Sequence, residues 1–239
     1  MQFIADLHIH TIASGHAYST VLEIAQAAAD KGLAMIALTD HGPAMPGAPH
    51  YYHFSNLVAL PDYLCGVRVL KGVEANVLDS QGTLDLSERI LAKLDIVLAG
   101  LHSVCVSSGS LDENTAMMIN TIKNPWVDIV VHPGNPEFLI DEKKVVQAAV
   151  EYDVALEINN SSLTVSRKGS WPRCDYLVSL AREYGCKLVL GTDSHFALSV
   201  GNFEAATQLI SKNNLLTEQL LNTSVQQIEA HLGRRNNRR

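Results

Sequence analysis

Phe3-Ile4-Ala5-Asp6-Leu7-His8-Ile9-His10 is an apolar run with a polar residue at every second position. On a strand, side chains two apart share a face, so Asp6, His8 and His10 are expected on one side. Two imidazoles beside a carboxylate suit a divalent ion better than a core. A single His-x-His is equally well a polar strand end in solvent. The rest of the chain shifts that balance, because it keeps repeating the pattern.

Apolar segments at 35–41, 68–76, 96–102, 127–134, 154–160 and 187–195 read as six further strands. Helical stretches are expected near 21–31, 86–93, 112–123, 142–152 and 174–184, with two more at 203–211 and 217–231. Strands alternating with helices imply a parallel α/β sheet. The strands are continuous apolar runs, as expected when both faces are covered. Closure into a distorted (β/α)7 TIM-like barrel brings every strand's C-terminal end to one rim, where barrel enzymes place their chemistry.

Histidine collects at those ends. The first strand supplies His8 and His10, and its loop supplies His16. The next strands supply His41, Glu74, His102 and His132, and the last supplies Asp193 and His195. The strand at 154–160 carries no obvious ligand. A lone buried histidine is usually a satisfied core residue. A packed group of neutral imidazoles would instead leave nitrogens unpaired, at about 1–3 kcal/mol each. Metal ions remove that cost. Nine donors exceed what one ion takes and suggest three ions, with a carboxylate bridging two. The donors are nitrogen and oxygen without sulfur, which suits zinc, manganese or iron.

Composition narrows the class. The chain has 239 residues and a formal net charge of -7. One domain over 1–233 is expected, followed by an Arg-rich flexible tail at 234–239. The acidic balance argues against general nucleic-acid binding. Cys65, Cys105, Cys174 and Cys186 form no Cys-x-x-Cys pair, so reduced thiols in a cytoplasm are expected. No signal peptide and no run of membrane-spanning length is read from the sequence.

Asp6-Leu7-His8-Ile9-His10, Thr39-Asp40-His41, Gly72-Val73-Glu74, Leu101-His102-Ser103, His132-Pro133 and Thr192-Asp193-Ser194-His195 together resemble the PHP (polymerase and histidinol phosphatase) superfamily. Its small stand-alone YcdX-like phosphatases are the nearest pattern. The resemblance implies three zinc ions. His8, His10, Glu74 and Asp193 would hold one. Glu74, His102 and His132 would hold a second, with Glu74 bridging. His16, His41 and His195 would hold the third. It also implies hydrolysis of a small-molecule phosphate ester by metal-activated water, with Glu74, Asp193 and His195 at the catalytic centre, in a trimeric assembly.

Weaker candidates remain open at this stage. Asp6 and Asp40 are either acceptors behind the imidazoles or turn caps. Ser103, Asn135 and Asn160 follow or end strands and are either phosphate contacts or ordinary loop residues. Arg167 and Lys168 read more readily as a solvated loop than as an anion site. His50 and His53 line an entrance or the surface, and His231 reads as an exposed helix residue. Two other functions compete: an amidohydrolase-type metal hydrolase, which also begins with His-x-His, and a non-catalytic metal-binding protein. The amidohydrolase pattern usually carries a bridging lysine at the fourth strand, where this chain has His102.

Overall fold

The computed structural model describes residues 2–234. Its strands are β1 (Ala5–Ile9), β2 (Met35–Leu38), β3 (Tyr63–Leu64), β4 (Val67–Asn76), β5 (Ile96–Gly100), β6 (Ile129–Val130), β7 (Ala155–Asn159) and β8 (Leu188–Gly191). Seven of these lie side by side in the order β1-β2-β4-β5-β6-β7-β8, each hydrogen-bonded pair parallel. The exception is β3, a two-residue antiparallel partner of β4 that the sequence reading lacks. Cys65 and Gly66, both at positive φ, make the two-residue turn between them.

The helices are α1 (Val21–Asp30), α2 (Tyr51–Asn56), α3 (Glu88–Leu91), α4 (Leu111–Lys123), α5 (Glu142–Glu151), α6 (Asn160–Thr164), α7 (Ser170–Tyr184), α8 (Glu204–Lys212) and α9 (Val225–Gly233). Reciprocal capping boxes start α1 (Thr20 with Glu23) and α4 (Ser110 with Glu113). The helix expected over 217–231 is broken: two 3-10 turns precede α9, because Leu220 bridges β8 at Leu188 instead of continuing a helix. None of the described helices is long and apolar enough to cross a membrane.

Two apolar layers hold the barrel. One takes residues from all seven parallel strands, among them Leu7, Ala37, Leu70, Leu98, Ile129, Ala155 and Val189, and is closed from below by Leu221 and Ile228. The larger layer packs the outer strand faces against α4, α5, α7 and α8. The expected single face for Asp6, His8 and His10 does not form. The β1–β2 register shifts between Asp6 and Ile9, a bulge of the kind that re-aims side chains beside functional sites. Leu7 joins the inner core, His8 and His10 turn into the rim, and Asp6 faces the β1–β8 seam.

That seam is where the barrel nearly closes. At the rim the His10 N–H donates to the Ser194 carbonyl (2.8 Å). Asp6 accepts from the Thr192 hydroxyl (2.5 Å) and the Gly201 N–H (2.9 Å). Lower down, fully buried Asn222 fills the gap. Its amide donates to the Ala5 and Leu190 carbonyls (3.2 and 3.0 Å), and its oxygen accepts from the Leu190 N–H (3.2 Å).

His231 is 1 % exposed, which corrects the expectation of a surface residue. The aliphatic side of α9 seals the barrel floor and carries His231 inward with it. One ring nitrogen lies 2.9 Å from the Asp128 carbonyl, and Arg234 donates to the other at 3.2 Å. Nδ1 must then be unprotonated and Nε2 protonated. Arg234, placed in the expected tail, pairs with Asp153 (2.5 Å); 235–239 of that expected tail lie outside the described residues.

Burial pushes the His231 imidazole down to about 4 from an ordinary 6.5. The unfolded chain therefore binds a proton that the folded chain refuses. Stability is complete above pH 6.5 and is lost as pH falls towards 4, by an amount of the order of 3 kcal/mol. Urea unfolding across that window should show a flatter pH dependence for His231→Gln than for the natural chain; parallel curves would remove His231 from the account.

Candidate metal centre

Each parallel strand delivers its functional residues at or just past its C-terminal end. Glu74 lies within β4, His102 follows β5, His132 follows β6, and Asp193 and His195 follow β8. The fold thus gathers residues up to 187 positions apart (His8 to His195). His8, His10, Glu74, His41 and His132 are buried, whereas His16 is exposed and faces the same cluster, its ring 5.1 Å from His41 and 4.9 Å from His195.

Glu74 is the centre of the cluster. Oε1 lies 3.1 Å from His102 Nε2 and 2.8 Å from His132 Nε2. Oε2 lies 2.7 Å from His41 Nδ1 and 3.4 Å from both His8 and His10 Nε2. The two oxygens therefore address two different imidazole groups. Burial opposes charge on Glu74, but the imidazoles of His41, His102 and His8 hold it well below the usual carboxyl range. Asp193 is held low in the same way by His8, His10 and Arg167.

The donors fit metal ions on their own geometry. His8 Nε2 and His10 Nε2 are 3.1 Å apart, and Asp193 Oδ1 is 3.6 and 3.2 Å from them. With Glu74 Oε2 at 3.4 Å, these separations match the ~3.4 Å edges of a tetrahedron of donors about 2.1 Å from one ion. Three sets of facing donors occur among the described residues: His8 with His10 and Asp193; His10 with His41 and His195; His41 with Glu74 and His102. Glu74 Oε2 and His41 Nδ1 are buried without hydrogen-bond partners of suitable geometry, which is costly unless a cation lies between them. Burial also pushes His10 and His132 down to about 3. Both imidazoles are thus neutral, the form that coordinates.

Behind His8, His10, His102 and His195 stand partners that fix the tautomer of each ring. His102 Nδ1 meets Asn76 Oδ1 (2.7 Å) and His195 Nδ1 meets the Asp193 carbonyl (2.9 Å). Asn76 is held in turn by Asp85 (2.6 Å). His10 Nδ1 meets the Ser14 hydroxyl (3.2 Å), which donates to Asp40 (2.7 Å). Asp40 thus reaches His10 only through Ser14, and it also caps the Thr11 turn. Asp6 touches no ring; its partners lie across the seam. His53 Nε2 is 3.3 Å from Asp40, and His50 caps the start of α2.

The residue the sequence reading missed is Glu157, on the strand that offered no ligand. It is fully buried. Oε1 lies 2.7 Å from His8 Nδ1; Oε2 accepts from the His132 N–H (2.8 Å) and from Asn159 (3.0 Å). A Cβ at Gly191 would sit 1.8 Å from Glu157 Oε1, so a glycine is required there. The available signal was period two: Glu157 and Asn159 are polar positions in an otherwise apolar strand, as His8 and His10 are.

Arg167 departs from its expected solvated loop. Its Nη1 bonds Asp193 Oδ2 (2.9 Å) and the hydroxyls of Ser162 and Ser166 (both 3.2 Å). Lys168 stays exposed. Arg167, His132 and Asp193 each hold positive φ (40, 38 and 53°). Such strain in non-glycine residues concentrates at working sites. Arg167, Asn160, His16, His41, His102, Asp193 and His195 line a cavity of about 680 Å³.

A family model described as PHP domain matches residues 6–222. A probable phosphatase of Caldanaerobacter subterraneus is 49% identical over 97% of this chain and 92% of its own length. Another, of Acetivibrio thermocellus, is 47% identical over 100% of this chain and 98% of its own. Among solved structures, the histidinol phosphate phosphatase of Lactococcus lactis, complexed with zinc, L-histidinol and phosphate, has a similar fold. It matches at a TM-score of 0.60 with 17% identity, over 89% of this chain and 94% of that one.

Glu157→Gln preserves volume but replaces one carboxylate oxygen by an amide that cannot accept. Metal affinity, measured by competition with a chromophoric chelator, should fall by about 10- to 100-fold while the circular dichroism spectrum is unchanged. Unaltered affinity would leave Glu157 a packing residue only.

Proposed function

The chain belongs to the PHP domain family, and from that premise we propose that it is a metal-dependent phosphatase acting on small-molecule phosphate monoesters at a trinuclear centre. The observation that carries this reading is Glu74, whose two oxygens face separate imidazole groups across a buried cluster. His8, His10, Glu74 and Asp193 would hold the first ion and Glu74, His102 and His132 the second. His41 and His195, with exposed His16, would hold the third. Zinc fits the donors and is the ion bound by the structural neighbour; manganese and iron fit the same donors. Bound there, the ions would neutralise charge on the phosphoryl oxygens and lower the pKa of water towards neutrality.

The protein's own groups supply the rest. Arg167 uses only Nη1 for its three contacts, and its guanidinium lines the cavity, suited to a phosphoryl oxygen. Asp193, pinned by Arg167 and Asn159 through Oδ2, keeps Oδ1 aimed at His8 and His10. Among the described residues, the hydroxyls beside Asp193, those of Thr192 and Ser194, donate to Asp6 and to the Phe196 carbonyl and are not free to attack. The buried imidazoles face Glu74 or Asp193, and burial pushes the nearby Cys105 thiol up to about 11. Water is therefore the attacking group, in a single displacement. The family match weighs against the amidohydrolase alternative, and a half-buried arginine lining the cavity supplies an anion-binding group that metal storage does not require.

Elemental analysis of protein purified without chelator should find close to three transition-metal ions per chain; one ion, found consistently, refutes the trinuclear assignment. A chiral phosphate ester should be hydrolysed with inversion at phosphorus, whereas retention would require a covalent intermediate. Arg167→Gln should raise KM for the ester about 10- to 100-fold with the metal content intact. A change in metal content without a change in KM would limit Arg167 to supporting Asp193.

A further inference from the structure

The cavity has two ends of different chemistry. Its deep end is the histidine cluster with Arg167. Its outer end carries Phe196 (50 % exposed), Val165 (88 % exposed) and Met45. A phosphoryl group held between Arg167 and the cluster must point its leaving group outward, since His8, His10 and Glu74 behind it are fully buried. The leaving group then lies against Phe196 and Val165. These are apolar surfaces kept in water at the mouth of a polar site, where their exposure has a use.

Phe196 is a fixed platform. It follows His195 directly. Its carbonyl accepts the Ser194 hydroxyl (2.8 Å), and the next N–H, of Ala197, donates to Ser19 (2.9 Å). The backbone that carries the ring is thus anchored in the same segment as Asp193 and His195, so a group stacked on the ring lies beside the reacting centre.

The charge of the cavity is equally one-sided. Among the described residues, Asp193 is the one carboxylate lining it. Both of its oxygens are committed, Oδ1 towards His8 and His10 and Oδ2 to Arg167 and Asn159. An ammonium in the leaving group would meet a guanidinium and find no carboxylate to pair with. Hydroxyl and amide groups of Ser161, Ser199 and Asn202 are the remaining polar partners at the outer end.

We propose that Met45, Val165 and Phe196 form a leaving-group subsite for phosphate monoesters whose alcohol is uncharged and presents a ring or apolar face, and that the site disfavours amino alcohols. This rests on the phosphatase reading above. It separates this chain from its structural neighbour, whose bound L-histidinol is a cationic amino alcohol.

The test is an isosteric pair of esters, 4-ethylphenyl phosphate and 4-(2-aminoethyl)phenyl phosphate, on the metal-loaded protein. The uncharged ester should be favoured about tenfold or more in kcat/KM. Val165→Glu, at a surface position, should narrow that ratio by supplying the missing carboxylate. The corresponding benzylphosphonates, measured by calorimetry, should bind with the same preference. Equal or reversed preference, or no phosphonate binding, overturns the subsite. Phosphonates bound with the expected preference but neither ester hydrolysed would support the subsite and refute the phosphatase reading.

Discussion

Glu74 is a fully buried carboxylate with five imidazoles within 3.4 Å of its oxygens. Removing such a charge from water costs several kcal/mol, recovered only if its partners are both close and correctly oriented. That requirement reaches outward through the rim. Three of these imidazoles, His8, His10 and His102, are held to one particular nitrogen by a fixed partner on the other side. Those acceptors, Glu157, Asn76 and Ser14, need partners of their own in Asn159, Asp85 and Asp40. The polar interior is therefore one connected network drawn from the ends of all seven parallel strands, and not a set of separate ligands.

The apolar alternation of strand and helix made the barrel legible from the sequence, because parallel strands buried on both faces leave an unmistakable pattern. The site residues were legible for a different reason: histidine at a strand end has few structural explanations, and its repetition has fewer. What escaped was chemistry that looks ordinary residue by residue. Glu157 and Asn76 are common residue types whose meaning comes only from facing an imidazole. Arg167 sits in a loop whose path, with a left-handed turn at the arginine itself, no periodicity reveals. The bulge in β1 hid the true role of Asp6, since strict alternation assigns it to the His8 face. His231 escaped because α9 is polar enough to look like a surface helix, yet it closes the barrel floor.

The backbone strain has a common direction. His132 and Asp193 adopt positive φ just past the ends of β6 and β8, and Arg167 does so in the loop after α6, each where a side chain must turn into the rim. Packing of the parallel sheet, with its two apolar layers, holds these conformations. Stability is concentrated in the strands, and the site draws on it.

The seam between β1 and β8 orders events during synthesis. His8 and His10 are made well before Asp193, Ser194 and Asn222. Until Asn222 is made, the amide that links Ala5 to Leu190 is missing from the seam. His8 and His10 likewise lack the Asp193 carboxylate until the last strand has been made. The donor set around Glu74 is completed only when the final strand docks, so the site is assembled at the last stage of folding and not at its nucleation.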